Sequence, residues 1–86
     1  MKVRIPSPLR SYTKGAASVE AAGETLLAVL ADLDARYPGI RFRMIDEQDG
    51  IRQHIKIFVN TEPAHKLQIP LRQDDVVHII AALSGG

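Results

Sequence analysis

Few residues in this sequence can do chemistry, and most of them stand where chemistry does not follow. His54, His65 and His78 share no i,i+4 pair that would aim two imidazoles at one metal. There is no cysteine, which removes disulfides, thiolate metal sites and a thiol nucleophile together. Asp74 and Asp75 are adjacent acids before an apolar run and read as a solvated turn. No serine sits in a Gly-x-Ser-x-Gly turn, and the glycines at 15, 23, 39, 50, 85 and 86 form no phosphate-binding loop. What remains is the end, Gly85-Gly86. Glycine has no Cβ, so such an end passes through a channel too narrow for any other residue and adopts any backbone angle there. Its terminal carboxylate is suited to activation by another protein: ATP adenylates it, and the acyl-adenylate then accepts sulfur or an amine. A glycine pair is also what a frayed terminus carries. The elements that precede it separate the two readings.

Val3 and Ile5 alternate with Lys2 and Arg4, the period of a half-buried strand, and Pro6 and Pro8 limit it. Lys14-Gly15 supplies a turn, and Val19 and Ala21 alternate in a second strand, so residues 2–22 read as a hairpin. Thr25 is a helix cap. Leu26, Val29, Leu30, Leu33 and Tyr37 follow on one face, and Pro38-Gly39 ends the helix. Residues 40–45 are compatible with a further helical turn, and 46–50 are a turn by composition. Ile55, Ile57 and Val59 alternate in a third strand that ends in a turn at 60–63. Leu67, Ile69 and Leu71 alternate around Pro70, which predicts an edge segment or an irregular crossing and not a central strand. Val76 to Ile80 is an apolar strand of the kind buried on both faces. A hairpin, one crossing helix and further strands make an α+β mixed sheet with the helix on one face, the plan of a β-grasp domain over residues 1–80. Residues 81–86 then form a flexible tail that reaches about 20 Å when extended.

Composition narrows the function further. Eighty-six residues make one domain, and a fold this small has little apolar area for a deep catalytic pocket. Eleven basic against ten acidic residues is far from the excess of a nucleic-acid binder, and four aromatics without tryptophan offer few stacking platforms. No apolar run approaches the ~20 residues that cross a bilayer, and no signal-peptide core opens the chain, so the reading is cytoplasmic. Residues 1–19 carry Lys2, Arg4, Arg10 and Lys14 and no acid, whereas 20–49 carry seven acids against three bases. That bias leaves either a solvated edge or a dock for an acidic partner.

The chain resembles the ubiquitin-like sulfur carrier proteins, the group that includes the thiamine sulfur carrier and the small subunit of molybdopterin synthase. The matching stretches are Val3-Arg4-Ile5-Pro6 with Leu9-Arg10, Gly23-Glu24-Thr25-Leu26, Ile57-Phe58-Val59-Asn60, and Val77 through Gly86. Arg36 to Arg41, followed by Asp46 and the long strand, is most similar to carriers that feed sulfur into cysteine biosynthesis. The family commonly has Gly-Asp where this chain has Asp74-Asp75, and proline near position 81 where it has alanine; neither departure touches Gly85-Gly86.

The resemblance implies a carrier protein and not an enzyme. It binds no cofactor or metal, and an adenylating enzyme of the ubiquitin-activating type consumes ATP to charge Gly86, with Gly85 giving clearance. The adenylate becomes a thiocarboxylate, whose sulfur passes to an acceptor such as a cysteine synthase. The alternatives are the molybdopterin synthase small subunit, bound stably to its large subunit, a protein modifier joined to lysine, or a plain interaction module with an inert tail. Both enzymes must grip a surface. Phe58 points opposite to Ile57 and Val59, either onto the open sheet face or into a minor core under residues 61–72. His78 in the last strand, Arg10 and Leu83 in the tail are the other candidate docking residues.

Overall fold

The computed structural model describes residues 1–81; Leu83, Gly85 and Gly86 lie outside the described residues. The alternation at the start gives β1 (Lys2–Arg4), with Val3 and the following Ile5 buried. Pro6 ends the ladder, and one 3-10 turn over Ser7–Leu9 follows, which buries Leu9. The chain reverses through Lys14 and Gly15, both at positive φ, and returns as β2 (Ser18–Glu20), antiparallel to β1 with Val3 opposite Val19.

Helix α1 (Leu26–Arg36) starts where the Thr25 hydroxyl accepts the Ala28 N–H at 3.1 Å. Leu26, Val29, Leu30 and Leu33 are fully buried against the sheet. Gly23 has no room for a side chain, since a Cβ there would lie 2.6 Å from the backbone nitrogen of Val29. The expected further turn is α2 (Ile40–Met44), entered through Gly39 at φ 98°. Its Ile40 and Met44 are buried, so α2 closes one end of the core. Asp46 shapes the next loop by accepting the N–H groups of Gln48 and Gly50, each at 2.9 Å.

Strand β3 (Ile55–Val59) leads through Asn60 and Thr61 into β4 (Glu62–Ala64). This corrects the sequence reading. The expected turn at 60–63 is only two residues long, with Asn60 in the left-handed region at φ 56°, and the edge strand is Glu62–Ala64. Residues 67–71 take the second of the two expected forms, an irregular crossing and not an edge strand. The N–H groups of Leu26 and Leu27 donate to the carbonyls of Ile69 and Leu67 at 3.0 and 2.8 Å, and Leu71 N–H donates to Glu24 at 2.9 Å. The segment thereby satisfies donors of the first turn of α1, which have no partner within the helix. Its alternation is real, since Leu67 and Leu71 are buried, but its neighbour is the start of a helix.

Strand β5 (Val76–Ala81) takes the centre, parallel to β1 and antiparallel to β3, and includes Ala81, the first residue assigned above to the tail. The sheet order is β2-β1-β5-β3-β4, with α1 across one face, which is the β-grasp architecture. The expectation that β5 is buried on both faces is corrected. Val77 and Ile79 face the helix and are buried, whereas Ile80 on the other face is 47% exposed. No helix among the described residues is long and apolar enough to cross a membrane.

Candidate functional site

The face of the sheet turned away from α1 carries the candidate site. In a strand successive side chains alternate between faces, so the register decides which of them meet. Arg4 lies opposite His78, His78 opposite Phe58, and Phe58 opposite Pro63, which makes one row across four strands. Ile80 and Lys56 form the next row towards Ala81. Phe58 therefore belongs to the open face, half-buried between the positions of His78 and Pro63, and does not fill a core under residues 61–72.

Arg4, His78, Phe58 and Ile80 line an open groove of about 1060 Å³. One wall is the 3-10 turn, from Pro6 to Pro8; the other is the Asn60-Thr61 turn. Arg10 reaches the rim, where its Nε donates to the Ile5 carbonyl at 3.0 Å and fixes the guanidinium. The structure thus brings Phe58, His78 and Arg10 to one groove, as expected, and adds Arg4 and Ile80, which the sequence reading did not select. Arg4 was missed because its place depends on parallel pairing with a strand more than seventy residues away. The exposed Ile80 was hidden inside an apolar run that looked uniformly buried.

Asn60 lines the far end of the groove and is tied to Asp75, which lies outside the lining. Asn60 Oδ1 accepts the Val76 N–H at 3.0 Å, its Nδ2 donates to Asp75 at 2.9 Å, and the second Asp75 oxygen accepts the Arg72 N–H at 2.8 Å. Asp75 is thus more than the solvated turn residue the sequence suggested: it clamps the strands that carry Phe58 and His78. The Arg72 N–H, and after it the Asn60 amide, hold its carboxyl below the ordinary 3.8. A carboxyl depressed in the folded state stabilises the fold above its unfolded pKa, and this contribution is lost as pH falls through the folded value. Asp75→Asn should therefore lower the urea midpoint at neutral pH, and its deficit against the wild type should shrink as pH drops below 3.8. A deficit that stays constant in acid would show that the clamp does not depend on the charge.

Among the described residues no group of His, Asp and Glu could hold a metal. The groove offers the Phe58 ring, the exposed Ile80 and four nitrogen-bearing side chains, Arg4, Arg10, Asn60 and His78. It is equipped to bind.

Known proteins resemble the chain along its length. Sulfur carrier protein CysO of Mycobacterium tuberculosis is 39% identical over 89 residues, covering 98% of this chain and 96% of that one. The crystal structure of Mycobacterium tuberculosis CysO superposes with a TM-score of 0.88 at 37% identity, over 95% of this chain and 98% of the other. A chain of the Amycolatopsis orientalis BexX/CysO complex gives a TM-score of 0.90 at 34% identity, with 99% and 98% covered. SAMP1 from Haloferax volcanii, at 22% identity and a TM-score of 0.79 over 100% and 98%, shares the fold. Residues 3–86 match the ThiS family, a span that takes in the β-grasp strands, the helix and Gly85-Gly86 alike, and the chain belongs to that family.

Proposed function

We propose that the chain is a sulfur carrier and not a catalyst, with Gly86 as the residue that is charged. The observation that carries the reading is likeness to the mycobacterial sulfur carrier proteins over 98% of the chain. An adenylating enzyme joins the Gly86 carboxylate to AMP and releases pyrophosphate from ATP. Sulfide then displaces AMP and leaves a thiocarboxylate, and an acceptor enzyme takes the sulfur for a cysteine-forming reaction. Gly85, also without a side chain, gives the neighbouring carboxyl clearance in a narrow enzyme channel. The setting is the cytoplasm, where ATP is made.

The groove is the surface by which the partners hold the carrier, with Phe58, His78 and Arg10 as docking residues and Leu83 as a further contact in the tail. Its position supports this, because β5 lines it up to Ala81, five residues before Gly86 in the sequence. A relative in a solved complex supports a carrier that acts while bound to another protein.

The test of the carrier reading is ATP–pyrophosphate exchange by the adenylating partner. The free-acid chain should support exchange, and a semisynthetic chain ending in a glycine amide should support none. Equal exchange with both would place the activated group elsewhere and overturn the reading. Phe58→Ala tests the docking surface, because it removes apolar contact from a half-buried position. It should raise the carrier concentration needed for half-maximal exchange by about tenfold or more, the scale of losing an aromatic anchor. The melting transition should stay cooperative. Unchanged exchange by a folded variant would remove Phe58 from the docking surface, and loss of folding would assign it to the core.

A further inference from the structure

We propose that the groove is built for an acidic segment of the partner, one that places an apolar side chain on Phe58 and Ile80 and carboxylates on Arg4 and Arg10. The inference rests on the docking role of this face and names the chemistry of what docks there.

Charge segregation carries it. The whole chain has nearly balanced charge, yet the groove is lined by two arginines and a histidine and by no Asp or Glu. Neither Arg4 nor Arg10 joins an ion pair among the described residues. Glu20, on the β2 side of the same face, lies beside the Met1 ammonium at 3.5 Å and opposite Lys2, so its charge is already met. Arg10 is held in place by its bond to the Ile5 carbonyl, which spares a partner most of the entropy of ordering it. A guanidinium presented in this way suits a carboxylate, which takes two parallel N–H donors.

The apolar half of the groove is equally specific. Ile80 is 47% exposed, and Phe58 lies diagonal to it on the next strand. Arg4 stands in the row of Phe58 two strands away, a distance of about 10 Å, which an extended segment covers in about three residues. The occupant is therefore an extended stretch with an apolar residue and, about three positions along, one or two carboxylates.

The test uses the full-length, isotope-labelled chain and three short synthetic peptides. One has a leucine followed three positions later by paired glutamates; the second has glutamines in place of the glutamates, and the third has lysines. The glutamate peptide should shift the backbone amide signals of Arg4, Phe58, His78 and Ile80. Its affinity should exceed that of the glutamine peptide by about tenfold, the scale of a charged hydrogen bond, and should fall as salt is raised. An R4E/R10E double variant with an unchanged melting transition should lose the glutamate peptide and gain the lysine one. Equal binding of glutamate and glutamine peptides, shifts confined to another surface, or no binding would overturn the proposal. So would equal binding of a short single-stranded oligonucleotide at the same residues, which would identify a polyanion site of another class. Failure here and failure of the carrier reading are distinguishable. Sulfur at Gly86 without peptide binding removes only the acidic partner, whereas peptide binding without sulfur removes only the carrier role.

Discussion

A chain truncated after Ser84 should fold like the full chain and deliver no sulfur. Among the described residues every core side chain lies between Val3 and Ile79, a cluster that closes without Gly85 and Gly86. Substitutions and deletions away from packed or hydrogen-bonded features usually change stability by about 0.5 kcal/mol or less, and the urea midpoint should barely move. The functional effect should be complete. The carboxylate would then sit on Ser84, whose side chain and shorter reach both change what the adenylating enzyme meets. In cells that depend on this carrier, the truncated chain should leave sulfur transfer at background while the protein accumulates to normal levels. If the truncated chain sustains transfer, the terminal glycines are not the handle. If it fails because it no longer folds, the described core is not the whole of it.

The largest expected effect on folding is at Leu30. Its side chain is fully buried on the face of α1 turned to the sheet, in the cluster with Val3, Ile57 and Val77. Leu30→Ala removes transfer energy and leaves a cavity, together about 2–5 kcal/mol. Total stability for a domain is about 5–15 kcal/mol, and a chain this short belongs near the lower end of that range. The melting temperature should fall by about 10 °C or more, read by circular dichroism, because each kcal/mol moves a domain of this size by about 4–8 °C. A loss below about 1 kcal/mol would mean that the core relaxes around the gap and that α1 is held by something other than its packed face.

How far the sequence discloses the molecule depends on the kind of signal each element carries. Helix α1 was legible because five apolar residues recur at helical spacing behind a threonine cap, and Leu26, Val29, Leu30 and Leu33 are all buried. β3 was legible from strict alternation. β4 was not, because three residues with a central proline look like the turn that feeds them. Residues 67–71 stayed open between an edge strand and an irregular crossing: alternation reports burial on one side, and a segment laid against the start of a helix shows it as well as a strand does. β5 illustrates a further limit. An apolar run does not reveal whether its outer face meets a second layer of this chain or is left for another protein, and only the fold shows that Ile80 is exposed.

The site divides in the same way. The terminal glycines are a local feature and were read directly, although residues 82–86 lie outside the described part of the structure. Phe58 followed from its phase in β3, and Arg10 from the charge bias of the first nineteen residues. The row from Arg4 to Pro63 did not follow, because it needs the register of β1 against β5, and sequence periodicity carries no information about which strands pair.

Intact-mass spectrometry of the chain isolated from its own cells, followed by fragmentation, tests the central claim most directly. A population heavier by the difference between one sulfur and one oxygen atom is expected, with the gain confined to the fragment that ends in Gly86 and reversed by mild hydrolysis. A chain found only as the free acid while the sulfur-requiring pathway is running, or a gain mapped to any other residue, would contradict it.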